Sequence, residues 1–280
     1  MAAPDLVVVG HVTVDRIGDT IQPGGAALYA AVAAHRLGFS VGILTSHADD
    51  FPLELIPPQI EVVSVPADAT TRFEHDVRRT PRAMRVPSLA RPLTAADVPD
   101  DWRDAALVLL APVVNEVDPH VATAFTGSTL AAAAQGWTRA LGPDGVVETA
   151  VWTPPELLLG RLQAIFLSTE DVTGQEDAAL DWFERVPIGV LTAGRLGALL
   201  FVNGERYEVS PRPAREVDPT GAGDVFAAAF LIHYQRTGDA WEAAAAAACA
   251  ASLSVEASGI ASVPDRDTLG EALRAHFRDA

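Results

Sequence analysis

An α/β protein on a doubly wound, mostly parallel sheet, with helices on both faces, is what this sequence predicts. Three observations carry that expectation. Short, largely apolar runs recur at Leu6–Val9, Val41–Thr45, Leu107–Ala111, Ala164–Leu167 and 188–191, as strands buried on both faces require. Helical patterns stand between such runs, the order of parallel strands joined by crossovers. No internal repeat or low-complexity linker divides the 280 residues, so one domain over 1–280 is expected.

Leu6–Val9 ends at Gly10 without a following G-x-G-x-x-G, which disfavours dinucleotide binding. In the next extended segment Val12 and Val14 are apolar while Thr13 and Asp15 are polar, so Asp15 alone reads as a solvated turn carboxylate. Pro23-Gly24-Gly25 then opens a helix over 28–37, with small residues that let it start close to a ligand and Gly38 as its stop. Val41–Thr45 and Ile60–Val65 are the next strands. Between Thr70 and Pro92 the composition turns polar, β-leaning and Arg-rich, which reads as a hairpin leaving the main sheet.

Leu107–Ala111 runs into Pro112–Glu116, at the carboxyl end of a strand where an open α/β sheet holds its ligand. Asn115 and Glu116 are therefore candidate substrate contacts. Arg139, in Gln135-Gly136-Trp137-Thr138-Arg139, is either a substrate or phosphate contact or an ordinary surface arginine. Asn203-Gly204 between two apolar-patterned runs marks a β-hairpin. Trp241–Glu256 is a long Ala-rich helix carrying Cys249, the sole cysteine.

Net charge is −17 and every one of the 20 basic residues is Arg. That balance argues against a nucleic-acid or anionic membrane partner, and a P-loop is excluded because it needs Lys. One cysteine permits no internal disulfide, no apolar run is long enough to span a bilayer, and the N-terminus lacks a secretory pattern. A soluble, cytoplasmic protein is expected.

The most informative stretch is Asp218-Pro219-Thr220-Gly221-Ala222-Gly223-Asp224, leading into Val225–Phe230. It joins a Gly-rich turn to an apolar helix, whose first N–H groups lack intrahelical partners and attract anions. Asp224 is then a carboxylate where negative charge gathers, suited either to accept a proton from an attacking hydroxyl or to cap the helix.

This stretch resembles the C-terminal signature of the PfkB, or ribokinase-like, carbohydrate kinases. The resemblance extends over most of the chain and implies an ATP-dependent kinase of a small polyol. It implies Asp224 as catalytic base and the amides of Gly221, Ala222 and Gly223 as anion hole. Asp15, Gly24 and Gly25 would meet the acceptor, under a small β lid from about 12–21 and 70–92, through which a homodimer could form. Thr192-Ala193-Gly194 resembles the nucleotide-phosphate loop, with Arg195 the nearest cation, and the loop around Gly259 would close over adenine. Asp218 and Thr220 would border a monovalent cation such as K⁺. Where the family commonly carries Asn-x-x-Glu near Mg²⁺, Ser168 and Asp171 stand here beside Glu170; these carboxylates are either metal groups or helix-start acids. Within the family the residues near Asp15, Thr70–Phe73 and Gln135–Arg139 are similar to the myo-inositol kinase branch. A nucleoside kinase and a catalytically weak binding protein of the same fold stay open.

Overall fold

Leu6–Val9 forms strand β1 at the heart of a nine-stranded sheet, in a computed structural model that describes residues 3–76 and 83–279. Next in the chain come β2 (Thr13–Ile17), β3 (Thr20–Gly24), α1 (Ala26–Arg36), β4 (Val41–His47) and β5 (Glu61–Pro66). After these come β6 (Arg72–Asp76), β7 (Ala83–Ser88), β8 (Leu107–Leu110), β9 (Thr129–Ala133), β10 (Arg139–Leu141) and β11 (Val147–Thr149). The remainder is α2 (Glu156–Leu159), β12 (Leu162–Ser168), α3 (Glu176–Glu184), β13 (Ile188–Thr192), β14 (Ala198–Val202), β15 (Glu205–Val209), α4 (Ala222–Thr237), α5 (Ala240–Ser254) and α6 (Arg266–Asp279).

The main sheet runs β15-β14-β13-β12-β9-β8-β1-β4-β5. Pairings from β13 through to β5 are parallel, and the β13–β14–β15 edge is antiparallel. Asn203 and Gly204 take positive φ, 50° and 85°, at the β14–β15 turn, as the Asn-Gly pair anticipates. Alternate residues of one strand serve opposite cores. Leu6 and Val8 pack with α1, α4 and α5, whereas Val7 and Val9 pack with Trp102, Phe125 and Trp152. Burying one such side chain is worth roughly 1.5–3 kcal/mol, so the unbroken apolar runs suit a sheet covered on both faces.

α4 and α5 lie against each other through small residues. Ala243, Ala247 and Ala250 are buried beside Ala228 and Phe230, and Cys249 is buried with them. Asp239 starts α5 by accepting from the Trp241 and Glu242 amides at 2.7 and 3.1 Å.

A separate four-stranded sheet, β3-β2-β6-β7, stands off the main one. The 77–82 part of the expected hairpin lies outside the described residues. At the base of this sheet the His11 Nε2 faces the Arg91 carbonyl at 2.9 Å, while Nδ1 meets Thr71 Oγ1 at 2.8 Å. Nε2 therefore carries the proton and Nδ1 accepts. Thr71 Oγ1 in turn accepts from the Ala90 amide. Burial, opposed by the Glu116 charge and the Arg91 carbonyl, holds the His11 ring below its usual pKa.

Candidate active site

Gly221 is the N-cap of α4, in the left-handed conformation with φ 78°. A Cβ there would sit 2.2 Å from the Tyr29 ring of α1, so the turn requires glycine on both counts. The N–H of Ala222 donates to the Pro219 carbonyl at 3.2 Å, which closes the turn. Of the three amides expected to form the anion hole, Ala222's is thus engaged. Those of Gly221 and Gly223 sit at the open N-terminus of α4, where intrahelical acceptors are lacking.

Asp224 lies in the first turn of α4 and is only 6% exposed. Its Oδ1 accepts from Gln135 Nε2 at 3.0 Å. Burial pushes the Asp224 carboxyl up to about 7, with Arg139 opposing the rise and Asp171 adding to it. A carboxyl near neutrality is matched to accepting a proton. As an N-cap Asp224 would bond forward amides. Gly221 holds that position instead, so the capping alternative falls.

The turn after β1 brings a second carboxylate. Asp15 is not a solvated turn residue: β2 pairs with β3 on one side and β6 on the other, and Asp15 is 4% exposed. Thr13 Oγ1 donates to its Oδ1 at 2.6 Å. A Cβ on Gly24 would stand 2.2 Å from Asp15 Oδ2, so a bare backbone there leaves the carboxylate its room. Gly25 is the N-cap of α1, and Tyr29, one turn on, meets Gly221. The starts of α1 and α4, one beside each carboxylate, are therefore joined through one aromatic ring.

Sequence reasoning missed His75, on β6. Its Nε2 is 3.8 Å from Asp15 Oδ2, and neither ring nitrogen has a hydrogen-bond partner among the described residues although both are buried. Buried polar groups are rarely left so. Phe73, two residues earlier on the same strand face, stacks on the ring. The i, i+2 spacing of Phe73 and His75 was the signal available.

Other expected residues fall unevenly. Asn115 is exposed at φ 63°. Glu116 is buried and accepts from the amides of His11, Val113 and Val114 at 2.8–3.2 Å, so it holds its own loop rather than a substrate. Arg139 spends its guanidinium on the Val113 carbonyl at 3.0 Å and on Gln135 Oε1 at 2.9 Å. Thr192 is half-buried at the end of β13, with its carbonyl bonded to the Thr169 amide. Gly194 and Arg195 are exposed in the turn that follows. Gly259 stands beside β3, where a Cβ would be 3.4 Å from Gln22 Oε1, and Arg36 holds the carbonyls of Ala261 and Val263.

For a divalent ion, the carboxylates at 170 and 171 separate. Glu170 is exposed. Asp171 Oδ2 accepts from the amide and hydroxyl of Ser168 at 2.8 and 2.7 Å, and Asp171's charge is felt at Asp224. The helix-start alternative falls, because α3 begins only at Glu176. Among the described residues no cluster of three or more His, Cys, Asp or Glu could hold a metal. Asp171, whose charge reaches Asp224, supplies a carboxylate of the kind that Mg²⁺ takes beside phosphates and waters. Asp218 Oδ1 accepts from the Thr220 amide at 3.0 Å, and Thr220 Oγ1 is buried with no partner among the described residues.

A mostly parallel, doubly covered sheet with a small β sheet above its carboxyl ends, and a Gly turn presenting a carboxylate at a helix start, is the ribokinase fold. Solved structures bear this out. A pyrophosphate-dependent kinase in the ribokinase family, complexed with a pyrophosphate analog and myo-inositol, is similar with a TM-score of 0.80 at 23% identity, over 96% of this chain and 99% of that one. Arabidopsis thaliana ribokinase complexed with ribose and ATP is similar with a TM-score of 0.73 at 22% identity, over 97% and 99%. The pattern of pfkB family carbohydrate kinases matches residues 162–266. A cytidine kinase of Thermococcus kodakarensis is 26% identical over 83% of this chain and 89% of its own length. An inositol 3-kinase of rice is 30% identical over 76% of this chain, which spans 57% of that protein. The maize inositol 3-kinase is 33% identical over 53% of this chain and 39% of its own length. The chain thus carries the pfkB pattern over residues 162–266 within a ribokinase fold, and its class is that of kinases acting on a small molecule. Among its described residues no helix is long and apolar enough to cross a membrane.

Proposed function

We propose that the chain phosphorylates a hydroxyl of a small polyol, with ATP as donor and an inositol as the sharper choice of acceptor. One observation carries the reading: Asp224 is buried, with its carboxyl near 7, in the first turn of a helix capped by Gly221. The acceptor hydroxyl lies between Asp15 and Asp224. Asp224 takes its proton as the oxygen attacks the γ-phosphorus, ADP leaves, and the Gly221 and Gly223 amides meet the developing charge. Mg²⁺, held through the phosphates and Asp171, would neutralise charge on the transferring group. The unpartnered Thr220 Oγ1 beside Asp218 supports a monovalent cation nearby.

The buried pair of Asp15 and His75 supports a hydroxyl-rich acceptor, since both offer bonds that a polyol can fill. The four-stranded sheet then acts as a lid excluding water. Its outer face carries Ile21, 56% exposed, and a homodimer through that face belongs to the same proposal, as does a cytoplasmic setting.

The test is product release with Mg²⁺ and either ATP or pyrophosphate, across inositols, pentoses, hexoses and nucleosides. Turnover of an inositol with ATP, abolished in Asp224→Asn, is expected. Turnover of a nucleoside alone, or with pyrophosphate alone, would replace the acceptor or the donor. Donor binding without turnover on any acceptor would leave a binding protein of this fold.

A further inference from the structure

Three side chains make a chain of hydrogen bonds ending on Asp224. Arg139 Nη1 donates to the Val113 carbonyl and Nη2 to Gln135 Oε1, at 3.0 and 2.9 Å; Gln135 Nε2 donates to Asp224 Oδ1 at 3.0 Å. An amide side chain can usually turn over and exchange its oxygen and nitrogen. Here it cannot, because Arg139 has only donors and so fixes the Gln135 oxygen toward itself. The amide N–H₂ is left facing Asp224. Oδ1 is thereby occupied as an acceptor, and Oδ2 is the oxygen left for a substrate proton.

We propose that Gln135, held by Arg139, is a positioning residue that selects which oxygen of Asp224 acts as base. The inference rests on the kinase reading above and assigns Arg139 a brace's role rather than a substrate contact. Gln135 is neutral, so it orients the carboxylate without ion-pairing it. A lysine or arginine at that position would pair with Asp224 and depress its basicity. The other charges acting on Asp224 are Arg139, behind the amide, and Asp171 from the turn after β12.

The experiment compares Gln135→Leu, Gln135→Glu and Arg139→Gln, singly and as Gln135→Leu with Arg139→Gln. Hydrogen bonds to charged groups are worth enough to shift a carboxyl by about one pH unit. For Gln135→Leu, kcat at neutral pH should fall at least about tenfold, with the acidic limb of its pH profile moved up by roughly one unit. KM for acceptor and donor should stay within about twofold. The double variant should lose less than the product of the two single losses, because Arg139 acts partly through Gln135. Gln135→Glu turns the donor into an acceptor and should be no better than Gln135→Leu. An unmoved acidic limb, a loss confined to acceptor KM, or full multiplicativity would overturn the assignment. Titration of the Asp224 carboxyl by ¹³C NMR in the same proteins needs no turnover. It therefore tests the brace even if the kinase reading fails, and an identical titration in wild type and Gln135→Leu would refute it.

Discussion

Asp15 Oδ2 and His75 Nε2 stand 3.8 Å apart, too far for a hydrogen bond and close enough for one hydroxyl to touch both. β2 and β6 run parallel, and the register that pairs Asp15 with Phe73 sets His75 on the same face. His75→Phe keeps the ring beside Phe73 and removes both nitrogens. Acceptor KM should rise about tenfold while kcat and donor KM change little, since a lost hydrogen bond at a polar site is worth about 1–2 kcal/mol. Steady-state kinetics with the acceptor varied checks this, and an unchanged KM would remove His75 from the site.

Asp224 also makes a prediction about stability. Its folded pKa, about 7, lies above the ordinary 3.8. The proton is bound more tightly in the folded state, so this group's contribution to stability is fully present below the unfolded value. It is lost as pH rises through the folded one. Between about pH 4 and 7 wild type should therefore lose stability that Asp224→Asn keeps, by up to a few kcal/mol at about 1.4 per unit. Thermal melts of both proteins at pH 5 and pH 8 measure it. The variant's advantage should be larger at pH 8, and the same variant should lose most of its turnover.

The two acidic residues after β12 should separate in a magnesium titration. Asp171→Asn removes a half-buried carboxylate whose charge reaches Asp224, and it should raise the Mg²⁺ needed for half-maximal rate several-fold. Glu170→Gln changes an exposed side chain and should shift that requirement less. Equal shifts would place the ion elsewhere.

Gly221→Ala combines a strained φ of 78° with a Cβ 2.2 Å from the Tyr29 ring. A loss of about 2 kcal/mol or more is expected, with weaker donor binding because α4 must shift. Gly221→Ala with Tyr29→Ala relieves the collision and leaves the backbone strain. Chemical denaturation should show partial recovery.

Much of this architecture was legible because parallel strands buried on both faces write themselves as unbroken apolar runs. Asp224 was legible for a related reason: a Gly turn, an acid and an apolar helix are contiguous in the chain. Asp15 was harder to read. Its local alternation points to solvent, and only pairing on both sides of β2 buries it. Glu116 misled in the opposite way, because its amide partners come from His11, 105 residues away, and from a loop in which Asn115 takes positive φ. His75 and Gln135 depend on register and on contacts across 89 residues of sequence in the case of Gln135 and Asp224. Locally, only the i, i+2 spacing of Phe73 and His75 hints at the first, and nothing near Gln135 encodes the second.

The small-residue packing of α5 turns Cys249 into a reporter. The thiol is buried there, and burial raises its pKa, so an alkylating reagent meets neither an exposed sulfur nor a ready thiolate. Modification must wait for α5 to loosen from the core that covers the thiol. Since this is the only sulfhydryl in the chain, labelling reports opening of the core around α5, against which α4, the helix that carries Asp224, is packed. Acceptor or donor that steadies α4 would register as slower labelling, with no catalysis required.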